Sequence, residues 1–448
     1  MSHPTIAEAT ADLAAGRTTA RALVEQALDR IADPAGEGAR AFTAVHAKSA
    51  RASADAMDTL RRVGRAPGPY AGIPISVKDL YDEAGHITRA GSVALADAPP
   101  ATATAPAVER LQRAGFVVLG RTNMVEFAFS GLGVNPHYGT PKSPWDRATG
   151  RLPGGSSSGA AVAAADGMGF AGLGSDTGGS CRIPAALCGI VGWKPTASRV
   201  TLKGTAPLSS SLDSLGPIAR SVGCCAVLDS LMAGVETFVP AAPRPVAGLR
   251  LAVLQGYVTE GWDAGVTTAF EAALARLSAA GARIETLTVP ELDDIPKANA
   301  TGGFAASEAF AWHRRLIDAK GGSYDPRILS RILRGGPMLA ADYVTLLAER
   351  ARIIAAFAPR TAAYDAVVLP TCPLTPPAIA AVTEEAEYAR INMALLRNPS
   401  VANFLDRCAI SLPCHAPGTA PVGFMLMGEH NGDTALFAVA QAVEAAFA

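Results

Sequence analysis

Two glycine-rich turns, each presenting a serine, flank an alanine-rich run, and no other stretch of the chain limits its fold so tightly. The first is Pro153-Gly154-Gly155-Ser156-Ser157-Ser158-Gly159; the second runs from Gly174 to Pro184 and contains Gly178-Gly179-Ser180-Cys181-Arg182. Alanine is the strongest helix former, so Ala160–Ala165 predicts a short helix. Its N-terminal dipole would face the serines. Adjacent glycines at 178 and 179 reach backbone conformations that other residues avoid. Such a turn can aim consecutive N–H groups at one point, as a developing oxyanion requires. A serine closing that turn, Ser180, is a candidate nucleophile. It needs a base.

Composition removes several function classes. Lys and Arg number 39 against 40 Asp and Glu, so charge offers no reason to expect nucleic acid or an anionic membrane as partner. Seven cysteines, an odd number with no CxxC pair, argue against a disulfide framework or zinc cluster and for free thiols in a reducing cytoplasm. No signal-peptide pattern and no apolar run of spanning length is read, and the expected molecule is a cytoplasmic globular protein. No cofactor or metal is expected: there is no HExxH, and the seven histidines show no ligand spacing.

Taken in order, Thr18 or Thr19 predicts an N-cap for a helix to about residue 31, with Leu23, Val24, Ala27, Leu28 and Ile31 on one face. A second helix over about 46–62 would turn Met57 and Leu60 inward. Ile73, Ile75 and Val77 alternate as in a strand that delivers Lys78 at its end. A helix over 106–114 and a strand over 116–120 follow, then a long aromatic loop, 127–145, of the kind that often carries function. Beyond a Pro/Ala linker at 240–245, a candidate sub-lobe boundary, strand 249–254, helix 264–280 and strand 283–289 predict a parallel pair. Segment 300–358 reads as largely helical and polar-faced, 365–369 as a buried strand, and 433–447 as a closing helix. The whole is an α/β chain read as one large domain over 1–448.

Several chemistries could use these serines. Gly155-Ser156-Ser157-Ser158-Gly159 satisfies GxSxG, with Ser157 as nucleophile and His313, His415 or His430 downstream. None of those histidines stands in a recognisable loop signature. A phosphate loop needs GKS or GKT where Ala160 stands. A flexible linker conflicts with the apolar flanks. A lone lysine at a strand end is ordinarily a surface residue, but one enclosed by apolar strands loses proton affinity and becomes a usable base for a serine.

Gly72-Ile-Pro-Ile-Ser-Val-Lys78-Asp79, Pro153-Gly-Gly-Ser-Ser157 and Gly174-Ser-Asp-Thr-Gly-Gly-Ser-Cys-Arg-Ile-Pro-Ala185 together resemble the amidase signature family of serine hydrolases. Arg121-Thr-Asn-Met-Val-Glu-Phe127, Asn135-Pro-His-Tyr-Gly-Thr-Pro141, Gly189-Ile-Val-Gly-Trp-Lys-Pro-Thr196 and Ser211-Leu-Asp-Ser-Leu-Gly-Pro217 follow the family's order. The resemblance implies a large mixed sheet covered on both sides by helices. It also implies a triad of Ser180, Ser156 behind a cis peptide, and Lys78. Thr177, Gly178, Gly179 and Ser180 would supply the oxyanion amides, with Ser157, Asp176 and Arg182 supporting the turns. Cys181 stands where the family more often has an aliphatic residue.

The resemblance further implies an acyl pocket built from 127–131, about 300–340 and 371–417, with Phe129, Ser130, Gly131 and Arg331 as substrate-binding residues. Arg331 falls near where glutamine-amidotransferase relatives hold a carboxylate; a solvated helix arginine is the competing reading. The function expected is amide hydrolysis on a small amide or ureide, releasing ammonia or an amine, with a homodimer as the family-level expectation. The A subunit of a tRNA-dependent amidotransferase and a catalytically silent binding protein are the alternatives.

Overall fold

A computed structural model describes residues 3–235 and 244–447. Eleven strands of these residues share one mixed sheet: β1 (Phe42–Val45), β2 (Pro74–Lys78), β3 (Val117–Thr122), β4 (Ala171–Asp176), β5 (Val191–Lys194), β6 (Ser214–Ala219), β7 (Arg250–Gln255), β8 (Arg283–Thr288), β9 (Ala366–Pro370), β10 (Ala409–Pro413) and β11 (Gly423–Met427). Their spatial order is β1-β3-β2-β4-β6-β5-β10-β11-β9-β7-β8. β2 lies parallel to both β3 and β4, and β7 parallel to β8 and β9, while β4, β5, β6, β10 and β11 join antiparallel. The expected parallel pair beyond residue 245 is therefore present as β7–β8. Residues 240–243 of the expected sub-lobe boundary lie outside the described residues.

Alternation along β3 shows how the sheet is clothed on both faces. Val117 and Leu119 join the apolar cluster that contains Ala160–Ala164, while Val118 joins the opposite cluster with Ile73, Ile75 and Val77. The helix Ser158–Ala165 is buried all round, as its lack of a polar face requires. It presses so closely on β4 that a Cβ at Gly172 would lie 2.7 Å from that of Ala160. Thr19 caps the helix Ala20–Ala32 by accepting from the Ala22 amide, and all five apolar residues expected inside are buried. In the helix Ala47–Arg62, Ala50 and Ala54 form the fully buried contact; Met57, expected inward, packs half-buried against the same cluster, and Leu60 is half-buried outside it. Alanines allow a closer approach to the helix Ala20–Ala32 than longer side chains would.

This topology makes the position of the site. Parallel β2 and β4 are neighbours, in register at Ser76–Gly172 and Val77–Leu173. Their C-terminal ends, Lys78 and Asp176, therefore open on the same edge of the sheet, where crevices form in α/β folds.

Candidate active site

At that edge Lys78 is fully buried, and its Nζ donates to Ser156 Oγ at 2.7 Å and to Ser175 Oγ at 2.8 Å. Burial in apolar surroundings pushes the ammonium down to about 7, with the negative charge of Asp176 and Asp213 working in the other direction. The peptide Gly155–Ser156 is cis. Its turn is pinned by the Gly155 amide on Gly131 O (2.8 Å) and by the Val125 amide on Ser156 O (3.0 Å). The Ser157 amide reaches Ser180 O at 3.3 Å, which ties the two serine turns together. Ser157 Oγ donates to Ser175 O, beside the group that Lys78 holds.

The second turn is braced from below. Arg182 reaches both oxygens of Asp176, at 2.8 and 3.1 Å, with both side chains fully buried. Asn403 donates to Asp176 Oδ1 and accepts from Arg182. Burial disfavours the Asp176 carboxylate, but Arg182 and Asn403 outweigh it and hold the group at about 2. Asp176 also takes the amides of Gly179 (2.8 Å) and Cys181 (3.1 Å). Gly179 is thereby set apart from the four expected oxyanion donors: its N–H already serves the carboxylate below. Thr177 is fixed by its hydroxyl, which donates to Asp213 at 2.5 Å, and Asp213 also accepts the amides of Leu208 and Ser209. Burial raises Asp213 to about 6 against those three bonds.

Ser180, Thr177 and Gly178 face a cavity of about 470 Å³, a size that suits a small molecule. Phe129, Ser130 and Ala128 form one wall, residues 295–306 and Arg331 with Arg334 a second, and Met393, Leu396, Ser400, Asn403 and Phe404 a third. Leu208, Leu212 and Tyr257, outside the expected segments, also line it, whereas 371–392 and 405–417 do not. Gly131 is a correction of another kind. It stands behind the wall, where a Cβ would meet Ile183 and Leu396 at 3.2 Å, and its amide donates to Asn392 Oδ1. Ser130 Oγ donates to the same oxygen at 2.9 Å.

Arg331 is half-buried against the cavity wall, neither fully solvated nor enclosed. Its guanidinium lies 5.0 Å from the centre of the Phe129 ring, its Nε is buried without a partner, and burial lowers its proton affinity. Among the described residues no carboxylate lies within ion-pair distance of it, and the cavity wall contains two arginines but no Asp or Glu. The GxSxG alternative loses its base: His313 bonds Tyr324, His415 lies by Gly189, and His430 bonds Asp406 O.

A family model for amidases matches residues 22–437. The chain belongs to the amidase family. It is 36% identical to the 2-amino-5-chloromuconic acid deaminase of Comamonas testosteroni, over 99% of this chain and 96% of that one. It is 37% identical to 1-carboxybiuret hydrolase subunit AtzE of Pseudomonas sp. (strain ADP), over 82% and 81%. A crystal structure of an amidase superposes with a TM-score of 0.89 at 32% identity, covering 99% of both chains. The amidase is thus a hydrolase of non-peptide carbon–nitrogen bonds with the mixed α/β fold of that family, and small-substrate amidohydrolases are among its relatives. Among its described residues no helix is long and apolar enough to cross a membrane, no cluster suits a metal ion, and the seven cysteines are buried and unbridged.

Sequence reasoning missed Ser175, Asp213, Asn392 and Asn403. Ser175 and Asp213 lie inside quoted motifs and could have been singled out as polar residues flanking strand ends. Asn392 and Asn403 come from the helix Glu385–Phe404, more than 200 residues downstream, with no motif around them.

Proposed function

We propose that the amidase hydrolyses a small amide or ureide that carries a carboxylate, through an acyl-enzyme on Ser180. The observation that carries the reaction is the hydrogen bond from buried Lys78 to Ser156, on a turn that the Ser157 amide ties to Ser180 O. Neutral Lys78 takes the Ser156 proton as Ser156 takes that of Ser180, and Ser180 Oγ attacks the carbonyl carbon. Amides of Thr177, Gly178 and Ser180 receive the oxyanion; losing one such donor costs about 2.7–4 kcal/mol. As the C–N bond breaks, Ser156 returns a proton to the departing nitrogen and is resupplied by Lys78. Water then attacks the acyl carbon, with the same relay as base, and releases the acid.

The carboxylate rests on Arg331. A half-buried guanidinium without a counter-ion, its Nε enclosed and its face on Phe129, in a wall that has no acid, calls for an anion from the substrate. Both relatives' names describe acids, which supports this reading. The same reading takes the enzyme as cytoplasmic and as a homodimer.

The test is ammonia release by the purified chain from succinamate, glutaramate, ureidoacetate and their neutral isosteres, with Ser180→Ala alongside. Ser180-dependent release that favours the acids is expected. Release that survives Ser180→Ala, or a preference for the neutral amides, would overturn the reading.

A further inference from the structure

Glu126 is fully buried, yet its carboxylate faces no lysine or arginine. An unpaired carboxylate in an apolar interior is costly unless donors surround it. Three segments supply them. Ser92 Oγ donates to Oε1 at 2.6 Å, His137 Nε2 lies 2.9 Å from the same oxygen, and the Asp325 amide donates to Oε2 at 2.7 Å. Asp325 is the N-cap of the helix Pro326–Leu333, whose own side chain accepts from the Arg327 amide. Arg331 sits on that helix six residues beyond the cap, about 9 Å along its axis.

Glu126 also opens the tight turn that leads to the cavity. Phe127 and Ala128 follow it in the left-handed region, with φ of 49° and 62°, and Phe129 comes next. Few non-glycine residues hold that conformation without support. The Phe127 ring packs 5.0 Å from Tyr324 and 4.3 Å from His313, centre to centre, on the residues that precede the arginine helix. Phe129 and Arg331 meet at the cavity wall, and one carboxylate touches the start of both their segments.

We propose that Glu126 is a positioning residue for substrate recognition, setting the Arg331 guanidinium against Phe129 through the Asp325 amide. This rests on the carboxylate-bearing substrate proposed above. Its readout is selectivity, the ratio of kcat/KM for succinamate to that for 4-methylpentanamide, in which an isopropyl group replaces the carboxylate. A general loss of structure lowers both rates and leaves the ratio unmoved; a displaced arginine lowers the ratio.

Glu126→Ala is expected to cut selectivity about tenfold, and to cut it no further when added to Arg331→Ala, since residues acting as one unit are not additive. Asp325→Pro is the second variant. Asp325 already has φ −58° and Tyr324 before it is extended at ψ 154°, so proline suits the backbone there; it removes the N–H and sets its Cδ against Glu126 Oε2, which breaks the contact between carboxylate and amide. Asp325→Pro should lose about tenfold in selectivity relative to Asp325→Ala, which keeps the amide. If wild type and Arg331→Ala have equal selectivity, the carboxylate reading falls and takes this proposal with it. If Arg331→Ala loses selectivity but Asp325→Pro matches Asp325→Ala, or the Glu126 and Arg331 effects simply add, the positioning role alone is overturned.

Discussion

Lys78 has to be neutral to act as a base, and burial brings its ammonium down to about 7. A folded value below the ordinary 10.5 means that the protein disfavours the charged form, so kcat/KM should rise with pH through about 7 and then level off. Lys78→Ala is expected to lower kcat by about 10³-fold, and Lys78→Arg should not restore it, because a guanidinium stays protonated. A stopped assay from pH 5.5 to 9 measures both, and wild-type turnover in Lys78→Ala would rule out the relay. Asp213 sharpens the same experiment. Its negative charge favours protonated Lys78, so Asp213→Asn should move the rise to lower pH, while the loss of its grip on Thr177 reduces the plateau. A rise that stays in place or moves upward would contradict the charge argument.

At the scale of elements, the helix Ser158–Ala165 is the clearest case of a sequence specifying its own place. Gly159 lets its first turn touch the backbone at the end of the short helix Gly38–Ala41 and just past β3: a Cβ there would stand 2.2 Å from Ala41 O and 2.7 Å from the Asn123 amide. Neither is the flexible end of a side chain, and both belong to segments that are themselves hydrogen-bonded, Asn123 to Ala41 and Gly159 to Asn123. Gly159→Ala should therefore cost about 1–3 kcal/mol despite its better helix propensity, and it should displace Ser156 and Ser157 with the turn. Urea midpoints measure the first effect and the rate of Ser180 labelling by a fluorophosphonate the second. A stabilised, fully labelled variant would refute the close packing. The alanine run, the alternation in β2 and the doubled glycines were legible because each is written within about a dozen residues. The Ala50 and Ala54 contact of Ala47–Arg62 was not, because small residues buried by a close helix contact look like a polar surface in the sequence. Arg331 was open to two readings in the sequence, because the Phe129 ring and the acid-free wall that favour the proposed carboxylate contact come from distant segments.

For the whole molecule, the limit of legibility lies in the middle of the sheet, where β5 pairs with β10, more than 200 residues apart. Nothing local in either strand encodes that partner. The same long connection supports the site, since Arg182 bonds Pro399 O and Asn403 as well as Asp176, and so fastens the Ser180 turn to the helix Glu385–Phe404. A buried pair with its donors satisfied is strongly destabilising to break on one side, because the remaining charge has no counterpart. Asp176→Asn should cost about 3–5 kcal/mol of stability in urea at neutral pH, far more than a surface carboxylate would. The pH dependence has a fixed sign. A carboxyl held at about 2, below its ordinary 3.8, adds stability that is complete above 3.8 and is lost as pH falls through 2. The difference between wild type and Asp176→Asn should therefore shrink from pH 5 toward pH 2. A difference that stays constant over that range would mean that the ion pair is not what joins the two halves of the chain.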